Sequence, residues 1–120
     1  YSGTLGECGS VELTIPFDRD SPDICYDASK QSLRFSLENT GRGDIVYLKM
    51  TFYGKTDISN VDVEEELGVS ETKQFTIPFN EKTLGTLEKL KIIPVTKDGS
   101  KEVVCPADKS LIVENVPACA

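Results

Sequence analysis

The sequence predicts an all-β domain: an antiparallel sandwich of about seven strands, immunoglobulin-like or fibronectin-like, held by two disulfides. Three observations lead there. Apolar and polar residues alternate with a period of two in several short runs, at roughly even spacing along the chain. No window holds the i, i+3, i+4, i+7 recurrence of an amphipathic helix. Four cysteines stand far apart, at 8, 25, 105 and 119, in a chain without histidine. Alternation alone does not separate a sandwich from a small closed barrel, which is the second architecture these runs allow.

Residues 1–9 are small, polar and glycine-bearing, and read as a lead-in or linker stub; residues 10–120 form the single sandwich domain. Val11, Leu13, Ile15 and Phe17 alternate with Glu12, Thr14 and Pro16, giving a first strand. Pro16 lacks an N–H, so it belongs at an edge or at the strand's end. Asp18 to Gln31 reads as a long polar connection carrying Cys25. Leu33, Phe35 and Leu37 then alternate with Arg34, Ser36 and Glu38. Asn39 to Asp44 has two glycines and no apolar residue, which turns the chain. Val46, Leu48, Met50 and Phe52 restart the alternation, with Tyr47, Lys49, Thr51 and Tyr53 on the other face.

A short edge strand is expected within Ile58 to Leu67, followed by a turn over Leu67 to Thr72. Phe75, Ile77 and Phe79 alternate next, with Pro78 again at an edge or strand end. Asn80 to Gly85 reads as a loop. Leu90, Ile92 and Val95 lie on a further strand ending at Lys97-Asp98-Gly99-Ser100, where Asp-Gly signals a hairpin. Val103-Val104 and Leu111-Ile112-Val113 make one last strand or two short ones, broken at Cys105-Pro106-Ala107-Asp108. The expected core is Val11, Leu13, Ile15, Leu33, Phe35, Leu37, Val46, Leu48, Met50, Phe52, Phe75, Ile77, Leu90 and Ile92.

The chain's 120 residues suffice for one core. With 20 acidic and 13 basic residues the formal charge is -7, a surface that phosphate backbones and anionic lipids repel, so nucleic acid is not an expected partner. The cysteines form no C-x-x-C pair, and a zinc site would have to gather all four thiolates from distant positions; two disulfides are expected instead. Disulfides imply an oxidising compartment or a hyperthermophile cytosol. No apolar run approaches the ~20 residues that span a bilayer. If the last strand runs on past Pro106, an up-down strand count pairs Cys8 with Cys105 and Cys25 with Cys119. If the chain reverses at Pro106-Ala107-Asp108, the pairs become Cys25–Cys105 and Cys8–Cys119. The first arrangement is favoured.

Chemistry has little to work with. Without histidine there is no Ser-His or Cys-His pair, and Gly41 and Gly43 lack the following lysine of a phosphate loop. We expect a non-catalytic domain without a cofactor. Asp18, Asp20, Asp23 and Asp27 share one loop, and Glu64 to Glu66 form a second acidic cluster. Oxygen-rich loops at a sandwich end can hold calcium, so Asp18, Asp20 and Asp23 are the metal candidates, although they lack the glycine and terminal glutamate of an EF-hand loop. Ordinary solvated acidic loops read the same way. Tyr47 and Tyr53 share an outward strand face, which marks either a contact surface or cross-strand pairing. No N-glycosylation sequon is present.

The runs from Ser32 to Gly41 and from Asp44 to Gly54 resemble two successive strands of cell-adhesion-related sandwich modules, and Glu71 to Phe79 resembles a later one. Cys25-Tyr26, Lys91-Ile92-Ile93-Pro94-Val95 and Val116-Pro117-Ala118-Cys119 are similar to segments of small secreted archaeal proteins of the pilin-like group, made with a class III signal peptide. In that group a hydrophobic N-terminal helix precedes a β-sandwich head. The resemblance implies an extracellular or cell-surface structural or adhesion domain, the head of a pilin-like or filament-forming protein. Its implied partners are protein subunits of a surface assembly, self included, with membrane contact only through a helix preceding Tyr1. The alternative is an accessory ligand- or calcium-binding sandwich module of a larger secreted protein.

Overall fold

The computed structural model describes Cys8 and residues 11–98, 100–106 and 109–119, with the side chains of Asp18 and Asp98 outside that description. The expected lead-in 1–9 therefore lies outside the described residues except for Cys8.

Among the described residues these elements follow in order: β1 (Leu13–Thr14), β2 (Phe17–Asp18), β3 (Ser21–Pro22), β4 (Ile24–Asp27), β5 (Ser32–Asn39), β6 (Tyr47–Gly54), β7 (Ile58–Val63), β8 (Thr72–Pro78), α1 (Glu81–Leu84), β9 (Leu87–Asp98), β10 (Lys101–Val104) and β11 (Leu111–Glu114). All named strand pairs are antiparallel. β5 centres the first sheet. Ser32 to Phe35 pair with β4 and Glu38-Asn39 with β1, while β8 runs along the opposite side over Ser32 to Glu38. β1 and β4 thus lie end to end in one lane, giving the order β1/β4, β5, β8. In the second sheet, β9 takes β6 on one side and β10 followed by β11 on the other, and β6 carries β7. Three lanes face four. Among the described residues β7 and β8 are not paired with each other, so the two sheets form a sandwich and not a closed barrel.

Alternation decides what fills the gap. Leu33, Phe35 and Leu37 of β5, Leu48, Met50 and Phe52 of β6, Phe75 and Ile77 of β8, and Leu90 and Ile92 of β9 are buried in one cluster with Val11 and Leu13. Ile15 and Val46, expected in that core, are half-buried. Ile45 takes the position expected for Val46. It sits off the β6 ladder, bridged to Leu67, and both side chains are fully buried. Leu67, expected in a turn, is therefore a core residue.

The first strand is shorter than expected. Only Leu13–Thr14 pairs with β5, because Pro16 cannot extend the ladder and its carbonyl instead accepts from Asp23 N at 2.9 Å. Phe17 then enters the small β2–β3 hairpin and is 68% exposed. The expected polar connection 18–31 contains that hairpin and β4, whose Ile24 and Tyr26 reach the core. Four residues of alternation are too few to stand out in a sequence. Asn80–Gly85 holds the single turn α1, capped by the Asn80 side chain, which accepts from Lys82 N. The last strand is two short ones, and both run antiparallel to β9: Val104 is opposite Val95, and pairing resumes at Leu111 opposite Ile92. The chain does not reverse at Pro106; it leaves the ladder and returns in the same direction.

Candidate functional site

That continuity fixes the disulfides. Cys8 bonds Cys105 and Cys25 bonds Cys119, the favoured arrangement. Each bridge ties the β1/β4 side of the first sheet to the β10/β11 side of the second. Beyond β11 the chain lies against β4 as a parallel strap: Tyr26 N donates to the Pro117 carbonyl at 2.8 Å and Cys119 N to the Tyr26 carbonyl at 2.9 Å. Two disulfides fit an oxidising, non-cytoplasmic environment. Among the described residues no helix is long and apolar enough to cross a membrane.

The acidic candidates are dispersed. Asp20 is exposed in the β2–β3 turn. Asp23 accepts a hydrogen bond from the Ser36 hydroxyl. Asp27 accepts from the Ser29 hydroxyl and amide and from Lys30 N, and the Ser29 hydroxyl bond leads in holding its carboxyl below the usual aspartate range. The side chain of Asp18 lies outside the described residues. Among the described residues no group of three or more Cys, Asp or Glu side chains is gathered to hold a metal ion. Glu64 to Glu66 are exposed, with Lys73 Nζ 3.5 Å from Glu65 and donating to the Glu66 carbonyl.

A more coherent surface is the outer face of the four-lane sheet. Because Leu48, Met50, Phe52, Leu90 and Ile92 point inward, their neighbours project outward. Across the lanes this sets Val104 and Tyr47 on either side of the fully buried Val95 in one row, Ile112, Lys91, Thr51 and Asn60 in a second, and Glu114, Lys89, Tyr53 and Ile58 in a third. Lys89 Nζ lies 4.6 Å from the Tyr53 ring centroid and Lys49 Nζ 5.5 Å from that of Tyr47. Lys49 also pairs with Asp62 at 3.4 Å. Partial burial works against the charge on Lys49, but Asp62 and Tyr47 outweigh it and raise its pKa. Ile58, Val104 and Ile112 of this face are three of the five large apolar side chains exposed among the described residues.

The expected outward placement of Tyr47 and Tyr53 holds. The sequence places Ile112 in the last strand without assigning it a face; its position between Leu111 and Val113, both packed against the core, is the signal that marks it as outward. The contribution of Lys89 and Lys91 was missed because strand pairing, not spacing, sets them beside the tyrosines.

Among the described residues, two clefts stand at the flanks of the sandwich. One, of about 490 Å³, is lined by Asp44, Val46, Glu66, Thr96, Lys97 and Glu102. The other, of about 260 Å³, lies beside the strap between Tyr26, Glu81, Leu87 and Val116. Comparison with protein families, with curated proteins and with solved structures finds no match to this chain.

Proposed function

We propose that this chain is a non-catalytic structural or adhesion module of the extracellular or cell-surface space, making its contacts through the outer face of the four-lane sheet. The observation that carries the reading is that face. It sets exposed Ile58, Val104 and Ile112 among Tyr47, Tyr53 and the aliphatic stems of Lys49, Lys89 and Lys91. Tyrosine rings and apolar side chains, interleaved with lysines whose aliphatic stems lie among them, offer a partner both apolar area and polar tips. The disulfides support export, and the pilin-like resemblance supports the narrower reading as the head of a filament-forming subunit.

The test is site-specific photocrosslinking of the full precursor in its native envelope. A crosslinker at Ile112 should capture a neighbouring subunit, and one at Lys30 should not. A precursor that stays monomeric and crosslinks at neither position rejects the reading. Crosslinks confined to the Asp20–Asp27 loop would favour the ligand-binding module instead.

A further inference from the structure

The two disulfides occupy different environments. Cys8 and Cys105 are 1% and 3% exposed, closed off from any reductant while the fold persists. Cys25 and Cys119 are half-buried. Cys25 lies on β4 between inward Ile24 and Tyr26, so its side chain stands on the outer face of the three-lane sheet. Directly across the ladder is Arg34, also exposed, with Nη2 3.8 Å from Cys25 Sγ. A guanidinium beside a sulfur stabilises the thiolate over the thiol and makes that sulfur the better leaving group.

We propose that Cys25–Cys119 is a thiol–disulfide exchange site for dithiol reductants, opened ahead of Cys8–Cys105, and that its opening releases the strap from β4. The thiolate of the dithiol attacks Cys119 Sγ; the Cys25–Cys119 bond breaks and Cys25 departs as a thiolate beside Arg34. The second thiol of the reductant, losing its proton, attacks the mixed disulfide. It expels Cys119 as a thiolate that takes up a proton, leaving the reductant as its own disulfide. Two electrons pass from the dithiol to the protein. Among the described residues the strap then keeps two backbone hydrogen bonds, both to Tyr26, and the packing of Val116. Strap opening leaves the N–H and C=O of Tyr26 unpaired on a sheet edge that the strap had covered. The inference stands on the disulfide environments and does not need the contact role proposed above.

The experiment is limited reduction of the intact protein with dithiothreitol, quenched by alkylation and mapped by mass spectrometry, with amide hydrogen exchange on the same samples. Cys25 and Cys119 should be alkylated while Cys8 and Cys105 remain bonded. The amides of Tyr26 and Cys119, the two strap donors, should lose protection while those of β5 keep theirs. The Cys25→Ser/Cys119→Ser double variant should show the same local loss, and Arg34→Gln should slow opening by about threefold. Simultaneous loss of both bridges, earlier loss of Cys8–Cys105, retained protection at Tyr26 after opening, or an unchanged rate in Arg34→Gln overturns the proposal. Should the double variant fail to fold, the limited-reduction arm on the unmodified chain decides alone.

Discussion

The Tyr26 hydroxyl donates to the Phe79 carbonyl at 2.9 Å, and the two rings meet edge to face with centroids 5.9 Å apart. The contact joins β4 to the chain just beyond β8, and Phe79 passes it on to Phe52 of the facing sheet, 5.8 Å away. Burial, then the charge of Glu81, holds the Tyr26 hydroxyl above the usual tyrosine range. Its folded pKa is raised, so its contribution is complete below the unfolded value and is lost as pH rises through the folded one. Tyr26→Phe should cost about 1–3 kcal/mol at neutral pH, since the Phe79 carbonyl loses its donor. Urea unfolding from neutral pH upward should show the gap between the two proteins narrowing above a pH of about 10.

Phe35 and Phe17 make a paired test of the register. Phe35 is fully buried and stacks on Phe75 at 5.6 Å, whereas Phe17 is 68% exposed. Phe35→Ala should cost about 3–5 kcal/mol in denaturant melts, and Phe17→Ala should stay within about 0.5 kcal/mol. Equal costs would contradict the break in the first strand at Pro16.

Those two phenylalanines also show what the sequence makes legible. Phe35 sits in an eight-residue strand with a clean period of two, and such runs placed β5, β6, β8 and β9 correctly. Phe17 continues the same pattern by eye, but Pro16 ends the ladder before it. The pairing of Ile45 with Leu67 could not be read at all, because an isolated bridge depends on two loops meeting and leaves no period in either. The outer face of the four-lane sheet was half legible. Alternation marks Tyr47 and Tyr53 as outward, but only the β6–β9 register brings Lys89 beside Tyr53. The disulfide pairing turned on one local question, whether the chain reverses at Pro106. Proline at a strand break permits either answer; the ladder to β9 supplies it.

Gly54 should tolerate no side chain. It ends β6 at a register shift, and a Cβ there would overlap the Leu84 carbonyl oxygen. That oxygen is fixed at the end of α1 by Thr56 N and Asp57 N, which donate to it at 3.0 and 3.1 Å. The backbone must therefore move or lose these bonds. Gly54→Ala should destabilise by about 1–3 kcal/mol, the usual range for overpacking. A thermal melt unchanged from the parent would show that α1 is not held against this hairpin.

The final prediction concerns the outer edge of β8. Asn39 N donates to the Glu71 carbonyl and Phe79 N to that of Gln31, so the odd residues of β8 bond to β5. The N–H groups of Thr72, Gln74 and Thr76 therefore point away from the sheet. Their strand is rich in β-branched and aromatic residues, the kind of edge that pairs with another chain. Two features oppose that pairing. Lys73 occupies a core-facing position, held 3.5 Å from Glu65 and 4.0 Å from Glu71, so a strand laid alongside would meet its charge. Pro78 closes the other end, having no N–H to offer. Lys73→Val with Pro78→Thr removes both. These exposed ion pairs stabilise the monomer little, so the double variant should still fold. It should also self-associate, which sedimentation velocity would report as dimers or larger species growing with concentration while the parent stays monomeric under the same conditions. A double variant that remains monomeric and folded would show that the edge is protected by something other than these two side chains.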